Sequence, residues 1–149
     1  DKTYHDYPSY TGSYNRSLST VQTLLKQQSS DIIIDLHRDA IGSNSNYDPT
    51  VKIGDDYAAR LMFVIGTDGG GLEHTNWKSN LKFAVKIQEV ASKLYPGLFK
   101  PIIVRNSRYN QHLGKAACII EVGSTGNTLD QSLTSMKYLS EVINKALNE

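Results

Sequence analysis

The stretch Asp31-Ile32-Ile33-Ile34-Asp35-Leu36-His37-Arg38-Asp39-Ala40 decides the reading of the fold. Its first part, Asp31 to Leu36, is a continuous β-branched run with no alternation of polar and apolar residues. Such a run predicts a strand buried on both faces, as in a largely parallel sheet covered by helices. Its polar tail places His37, Arg38 and Asp39 at the strand's carboxyl end. In open α/β sheets, ligands collect beyond the carboxyl ends of the strands.

Two further runs have the same character. Leu61-Met62-Phe63-Val64-Ile65 ends in Gly66, and Ala116 to Val122 ends at Gly123. Ile102 to Val104 predicts a shorter strand. Thr50–Ile53 and Tyr57–Gly66 flank Gly54-Asp55-Asp56, the pattern of a hairpin. Helical spacing of apolar residues appears over Ser17–Gln28, with Leu18, Val21, Leu24 and Leu25 on one face. It recurs over Trp77–Leu94, with Trp77, Leu81, Ala84, Gln88, Ala91 and Leu94 aligned and Pro96-Gly97 as the stop. A last helix opens at Thr128, where Gln131 three residues on completes a capping box. Its predicted buried stripe is Leu129, Leu133, Met136, Leu139, Ile143 and Leu147. Thr3–Tyr14 and Gly42–Pro49 read as loops. The expected architecture is a single α/β domain: a mixed, mostly parallel sheet flanked by helices on both faces.

The 149 residues suffice for one compact core and not for two. A formal net charge of +1 excludes a strongly basic nucleic-acid surface. No apolar stretch reaches the ~18 residues of a membrane span, and no signal peptide opens the chain. The chain starts at Asp1-Lys2-Thr3 without Met, as a fragment or processed piece would. Nine tyrosines, against one Trp and three Phe, suit a polar cleft with sugar contacts, or equally an ordinary core. The one cysteine, Cys118, sits inside an apolar run and reads as a buried hydrophobe, not a nucleophile.

Three strand ends carry polar residues that a core would not select: Asp35 to Asp39, Thr67 to His74, and Glu121. Glu121 follows an apolar run, so burial should raise its pKa and suit it to general acid/base work. The alternative is a carboxylate that caps loop N–H groups or pairs with an arginine. His37 could be a metal ligand with Asp35 or Asp39 orienting its ring, or a satisfied polar residue after a strand. His37 alone makes no zinc site, because catalytic zinc takes three protein ligands. Gly69-Gly70-Gly71 lacks the lysine and spacing of a phosphate-binding loop. His5, His74 and His112 read as loop residues, with His5 and His74 able to face one cleft.

The polar strand ends stand among further recognisable stretches. These are His5-Asp6-Tyr7-Pro8, Ser13-Tyr14-Asn15-Arg16-Ser17, Met62 to Gly66, His74 to Phe83, Tyr95-Pro96-Gly97-Leu98, and Tyr109-Asn110-Gln111-His112-Leu113. With Asp35 to Ala40, and Ile120-Glu121-Val122-Gly123 leading to Gly126-Asn127-Thr128-Leu129, the order resembles the stage II sporulation protein P family nearly end to end.

The resemblance implies a zinc-dependent N-acetylmuramoyl-L-alanine amidase, with a second activity against peptide cross-links. It implies zinc as cofactor, His37 as a zinc ligand and Glu121 as the catalytic carboxylate. Arg38 and Asn110 are further candidates for substrate binding or for support of the ligands, with loop scaffolding as the alternative. It implies an upstream strand supplying a His and a Glu as the other ligands. Residues 1–149 are therefore expected to be an amidase catalytic domain without its first strand. Weakened zinc affinity, lost hydrolysis and an open sheet edge are expected with it. The implied partners are peptidoglycan and stage II sporulation proteins D and M. The implied location is extracytoplasmic, at the outer forespore surface, with a membrane anchor in the intact protein that this chain lacks. A competing class is a non-catalytic peptidoglycan-binding module; a nucleotide-binding domain resting on the glycine run is weaker.

Overall fold

The computed structural model describes residues 5–41 and 46–148. The start of the loop expected at Thr3 and residues 42–45 of the next expected loop lie outside the described residues. The elements run α1 (Ser13–Gln27), β1 (Ile32–Asp39), β2 (Thr50–Ile53), β3 (Asp56–Ala59), β4 (Leu61–Gly66), α2 (Trp77–Leu94), β5 (Ile103–Arg105), a 3-10 turn (Gln111–Leu113), β6 (Ala116–Ser124) and α3 (Leu129–Asn148).

Four strands form the main sheet in the order β1-β6-β4-β5. β1 runs parallel to β6 and β4 parallel to β5, while β4 and β6 are antiparallel. The sheet is mixed and mostly parallel, as expected. Its main core lies on one face, where Phe63, Ile65, Cys118 and Ile120 meet Ala84, Ile87 and Ala91 of α2 and Leu139, Val142 and Ala146 of α3. Phe63 stacks on Phe99 with ring centroids 4.8 Å apart. The opposite face carries a smaller cluster of Met62, Val64 and Ile119, capped by Tyr14 of α1 and by Tyr109. Helices therefore cover both faces.

Three sequence expectations need correction. The run at Asp31–Leu36 forms a strand, but one at the sheet's edge, not a strand buried on both faces. Ile34 and Leu36 pair in register with Cys118 and Ile120 and so share the face of the main core. The helices reach over β6 and β4 but stop short of β1, and Leu36 stays 53% exposed. The second hairpin arm is two strands, because the chain changes sheets at Arg60. The Arg60 guanidinium donates to the carbonyls of Gly97 (2.8 Å) and Phe99 (3.1 Å), fixing the corner. The stripe expected on α3 is rotated: Leu129, Leu133 and Leu147 are exposed, and Ser135, Tyr138, Leu139, Val142 and Ala146 are buried. Polar anchors set that rotation. Ser135 Oγ donates to the Ala59 carbonyl at 2.6 Å, and the Tyr138 hydroxyl donates to Asp56 at 2.7 Å.

The expected α2 spans its predicted residues, but its buried face includes Asn80 while Val85 and Leu94 are exposed. Helix α1 begins earlier than the spacing suggests, at Ser13, just after Gly12 with φ of 82°. The capping box forms as predicted: Gln131 Oε1 accepts from the Thr128 N–H at 2.9 Å, and Thr128 Oγ1 accepts from the Gln131 N–H at 3.2 Å.

Asn80 is fully buried and ties three elements together. Its Nδ2 donates to the Gln111 carbonyl (3.0 Å) and its Oδ1 accepts from the Ala117 N–H (3.0 Å). Gln111 in turn bridges β4, accepting from Gly66 N–H at 2.8 Å and donating to the Val64 carbonyl at 3.0 Å. Asn80→Ala leaves a buried donor and acceptor unpaired, and such groups cost ~1–3 kcal/mol each. The variant is expected to lose at least ~2 kcal/mol of stability, read as a lower urea midpoint in a two-state melt monitored by circular dichroism.

Candidate functional site

Strand direction sorts the three polar strand ends into two groups. β1 and β6 are parallel, so their carboxyl ends lie together, and His37 is the in-register partner of Glu121. In-register partners on adjacent strands point to the same face. That face carries Ile119 and Met62, the α1 side of the sheet. β4 runs the other way, so the loop from Thr67 to His74 lies at the opposite end of the sheet. His5 reaches the His37–Glu121 cleft and His74 does not.

The cleft has a volume of about 580 Å³. Asp35, His37, Arg38 and Glu121 form its floor and rim, and His5, Asp6, Tyr10 and Tyr14 form the facing wall. An apolar trough of about 820 Å³ runs on from it between α1 and β1, sharing Tyr14, Asp35 and Leu36. The wall formed by residues 5–11 is held by Arg16. Its Nε donates to the His5 carbonyl (2.6 Å) and Nη1 to the Thr11 carbonyl (3.2 Å), and Nη2 donates to the Ser9 carbonyl. His5 Nε2 shares a 2.9 Å hydrogen bond with Thr20 Oγ1.

Glu121 is half-buried, and its Oε2 is inaccessible to solvent with no hydrogen-bond partner among the described residues. Burial raises its pKa, Asp39 and Asp35 push the same way, and His37 and Lys100 pull against them. His37 behaves in the opposite sense. Its Nε2 lies 3.0 Å from Asp35 Oδ1, and that hydrogen bond raises its pKa against the effect of burial. Asp39 does not orient the ring; it pairs with Lys100 Nζ at 3.2 Å. The Tyr14 hydroxyl donates to Asp35 Oδ2 at 3.1 Å, and the Tyr14 ring stacks near His37 with centroids 6.5 Å apart. Burial first, and Asp35 after it, raise the Tyr14 phenol far above its ordinary range, so it remains a donor at neutral pH.

The other candidates fall as follows. Arg38 is exposed at the cleft rim. Asn110 lies away from the His37–Glu121 cleft, with both amide hydrogens committed to α1: Nδ2 donates to the Tyr14 carbonyl (2.7 Å) and to Ser17 Oγ (3.1 Å). It sits in a left-handed corner, with φ of 52° at Tyr109 and 57° at Asn110. The glycine run cradles nothing, because its three N–H groups are spent on Thr67 Oγ1, the Asn106 carbonyl and the Asp68 carbonyl. Cys118 is buried and its thiol is pushed up to about 12 by burial, so it stays protonated and inert.

Sequence reasoning did not single out Tyr14 for the site. Asp35 was within reach of it, because residues two apart on a strand share a face. No comparable signal exists for Tyr14, which comes from a separate helix. At the far end of the sheet, His74 and His112 stand 6.4 Å apart, and both ring nitrogens of His74 are buried without a protein partner among the described residues.

Zinc needs three protein ligands. Among the described residues no three His, Cys, Asp or Glu side chains gather to hold a metal ion. His37 is one imidazole donor, and with its Nε2 held by Asp35 the ring keeps Nδ1 for another ligand. The described residues thus do not make a complete zinc site by themselves. No helix among them is long and apolar enough to cross a membrane.

The model of the family described as Stage II sporulation protein P (SpoIIP) matches residues 1–144. Stage II sporulation protein P of Bacillus subtilis (strain 168) is 29% identical over 142 residues, which cover 91% of this chain and 33% of that protein. The chain therefore spans about a third of the length of that curated relative. No solved structure matches. With a family match over nearly its whole length, the chain belongs to the stage II sporulation protein P family of sporulation proteins.

Proposed function

We propose that this chain carries the acid/base half of a peptidoglycan hydrolase site. Its substrate is the amide between N-acetylmuramic acid and the L-alanine of the stem peptide, with peptide cross-links as a second substrate. The setting proposed is forespore engulfment, at the outer forespore surface, alongside stage II sporulation proteins D and M. The observation that carries the reading is the orphaned, buried carboxylate oxygen of Glu121 beside His37 in one open cleft.

The chemistry follows from that carboxylate. Amide hydrolysis needs a base to take a proton from the attacking water and an acid to give one to the departing amine. Glu121 can do both in sequence. Its raised pKa brings the two protonation states closer together in stability near working pH. The water oxygen adds to the carbonyl carbon as its proton passes to Glu121, and the C–N bond then breaks as that proton passes to the amine of L-alanine. The products are a free lactyl carboxylate and a free stem peptide. His37 is the ligand this chain offers to zinc, with the remaining ligands proposed to lie outside the described residues. When bound, zinc would lower the pKa of the attacking water to about 7. Arg38, exposed at the rim, is the residue proposed to meet the acidic groups of a stem peptide.

Glu121→Gln in the full-length protein tests the assignment on dye-labelled cell walls. Dye release is expected to fall ~100-fold or more, the scale of general acid/base catalysis, while pelleting with walls is retained. Release at the wild-type rate would remove Glu121 from the chemistry and favour the wall-binding module.

The same substitution has an opposite effect on stability. A carboxyl whose folded pKa lies above its ordinary value of about 4.5 penalises the fold once it ionises. That penalty is absent below the ordinary value and grows as pH rises through it. Glu121→Gln is therefore expected to raise Tm at pH 7.5 above that of the wild-type chain. The gain should vanish near pH 4. Paired thermal melts of the two chains at both pH values check this.

A further inference from the structure

We infer that Tyr14 is a positioning residue for this site, the middle of a relay Asn110–Tyr14–Asp35–His37 that fixes the histidine ring. The inference rests on the proposed role of His37. Each link is a direct contact in the structure. Asn110 Nδ2 donates to the Tyr14 backbone carbonyl at 2.7 Å and to Ser17 Oγ at 3.1 Å, pinning the first turn of α1. The Tyr14 hydroxyl donates to Asp35 Oδ2 at 3.1 Å. Asp35 Oδ1 lies 3.0 Å from His37 Nε2. The Tyr14 ring lies 18° from the plane of His37 and packs edge-on against Tyr109 at 5.3 Å.

The consequence is chemical. Both oxygens of Asp35 are occupied, so the carboxylate cannot rotate away from the ring. A hydrogen bond to one imidazole nitrogen selects the tautomer of the whole ring. With the proton on Nε2, the lone pair sits on Nδ1, the nitrogen left for a metal or a substrate. The Tyr14 hydroxyl bonds to Asp35, so removing it while keeping the ring acts on His37 through Asp35. Asn110 acts one step further back, which gives the Tyr109–Asn110 corner a task at the site without contact with substrate.

Tyr14→Phe removes the hydroxyl and keeps the ring. In the 149-residue chain, the Nε2–H resonance of His37, read by 15N–1H correlation of the ring, is expected to broaden or exchange faster in Tyr14→Phe. It should disappear in Asp35→Asn. In the full-length protein, Tyr14→Phe is expected to lower kcat on cell walls ~10-fold, with KM and Tm near wild type. The inference requires both changes. A wild-type kcat or an unmoved His37 ring signal in Tyr14→Phe overturns it. A large fall in Tm with kcat and KM collapsing together also overturns it, because that marks a merely structural hydroxyl. Failure of the functional reading is separable. Should Glu121→Gln hydrolyse walls normally, that reading falls, and the ring signal still decides the relay.

Discussion

The parallel, in-register pairing of β1 with β6 is the constraint on which the site depends. It brings Ile34 beside Cys118, Leu36 beside Ile120, and His37 beside Glu121. A one-residue slip would turn every side chain of β1 to the other face, moving His37 out of the cleft and Ile33 with it. Few forces hold that register. No helix packs substantially on β1, which is an edge strand. The backbone ladder to β6 therefore carries most of the load, with the Ala116 N–H to Asp31 carbonyl bond (2.9 Å) at one end and the Thr125 N–H to Asp39 carbonyl bond (3.1 Å) at the other. Gly114 allows the first of these ends to close, since a Cβ there would meet the Asp31 carbonyl oxygen at 2.5 Å.

Charge arrangement around the cleft follows from the same pairing. Asp35, His37 and Asp39 alternate down β1, and Glu121 faces them from β6. Three carboxylates close to one imidazole would repel one another strongly if left unpaired. Two are neutralised locally: Asp35 by His37 and Tyr14, and Asp39 by Lys100. Of the three, Glu121 is the one with a buried oxygen that has no hydrogen-bond partner among the described residues. A buried polar atom with no hydrogen bond is costly, and proteins retain such costs mainly where chemistry uses them. Among these four groups, the distribution of partners is what supports the proposal that Glu121 transfers the proton and the others hold the site.

Much of this was legible in the residues. The apolar runs located β1, β4 and β6, the capping box located the start of α3, and Pro96-Gly97 marked the end of α2. Strand position was not legible. A β-branched run reads the same at a sheet's edge as at its centre, and the difference lies in which helices reach it. Strand direction was not legible either, so the three polar strand ends, and a shared cleft for His5 and His74, could not be sorted until β4 proved antiparallel. On α3, apolar spacing found Leu139, Met136 and Ile143 but also pointed at Leu129, Leu133 and Leu147, which are exposed, and it missed Ser135, Tyr138 and Ala146. Small and polar residues that bury themselves by hydrogen bonding leave no hydrophobic trace. Glu121 and His37 could be found because each interrupts an apolar run with a charge. Tyr14 interrupts nothing, and only the approach of α1 to β1 reveals it.

The two faces of the sheet are held in different ways, and this bears on where the site sits. On the α2–α3 face, large apolar side chains interlock and several are fully buried. On the α1 face, Ser13 is the one buried residue of the helix, and Leu24 is 47% exposed. Hydrogen bonds from Asn110, Tyr14 and Arg16 take the place of an apolar stripe. Regions with few buried apolar contacts open at lower free energy than the core. The cleft thus has a floor, β1 and β6, held by the backbone ladder, and a wall fastened by directional polar contacts. Directional contacts fix orientation better than they resist separation, which suits the proposed reading of a face that holds an imidazole in one orientation and admits a large polymer.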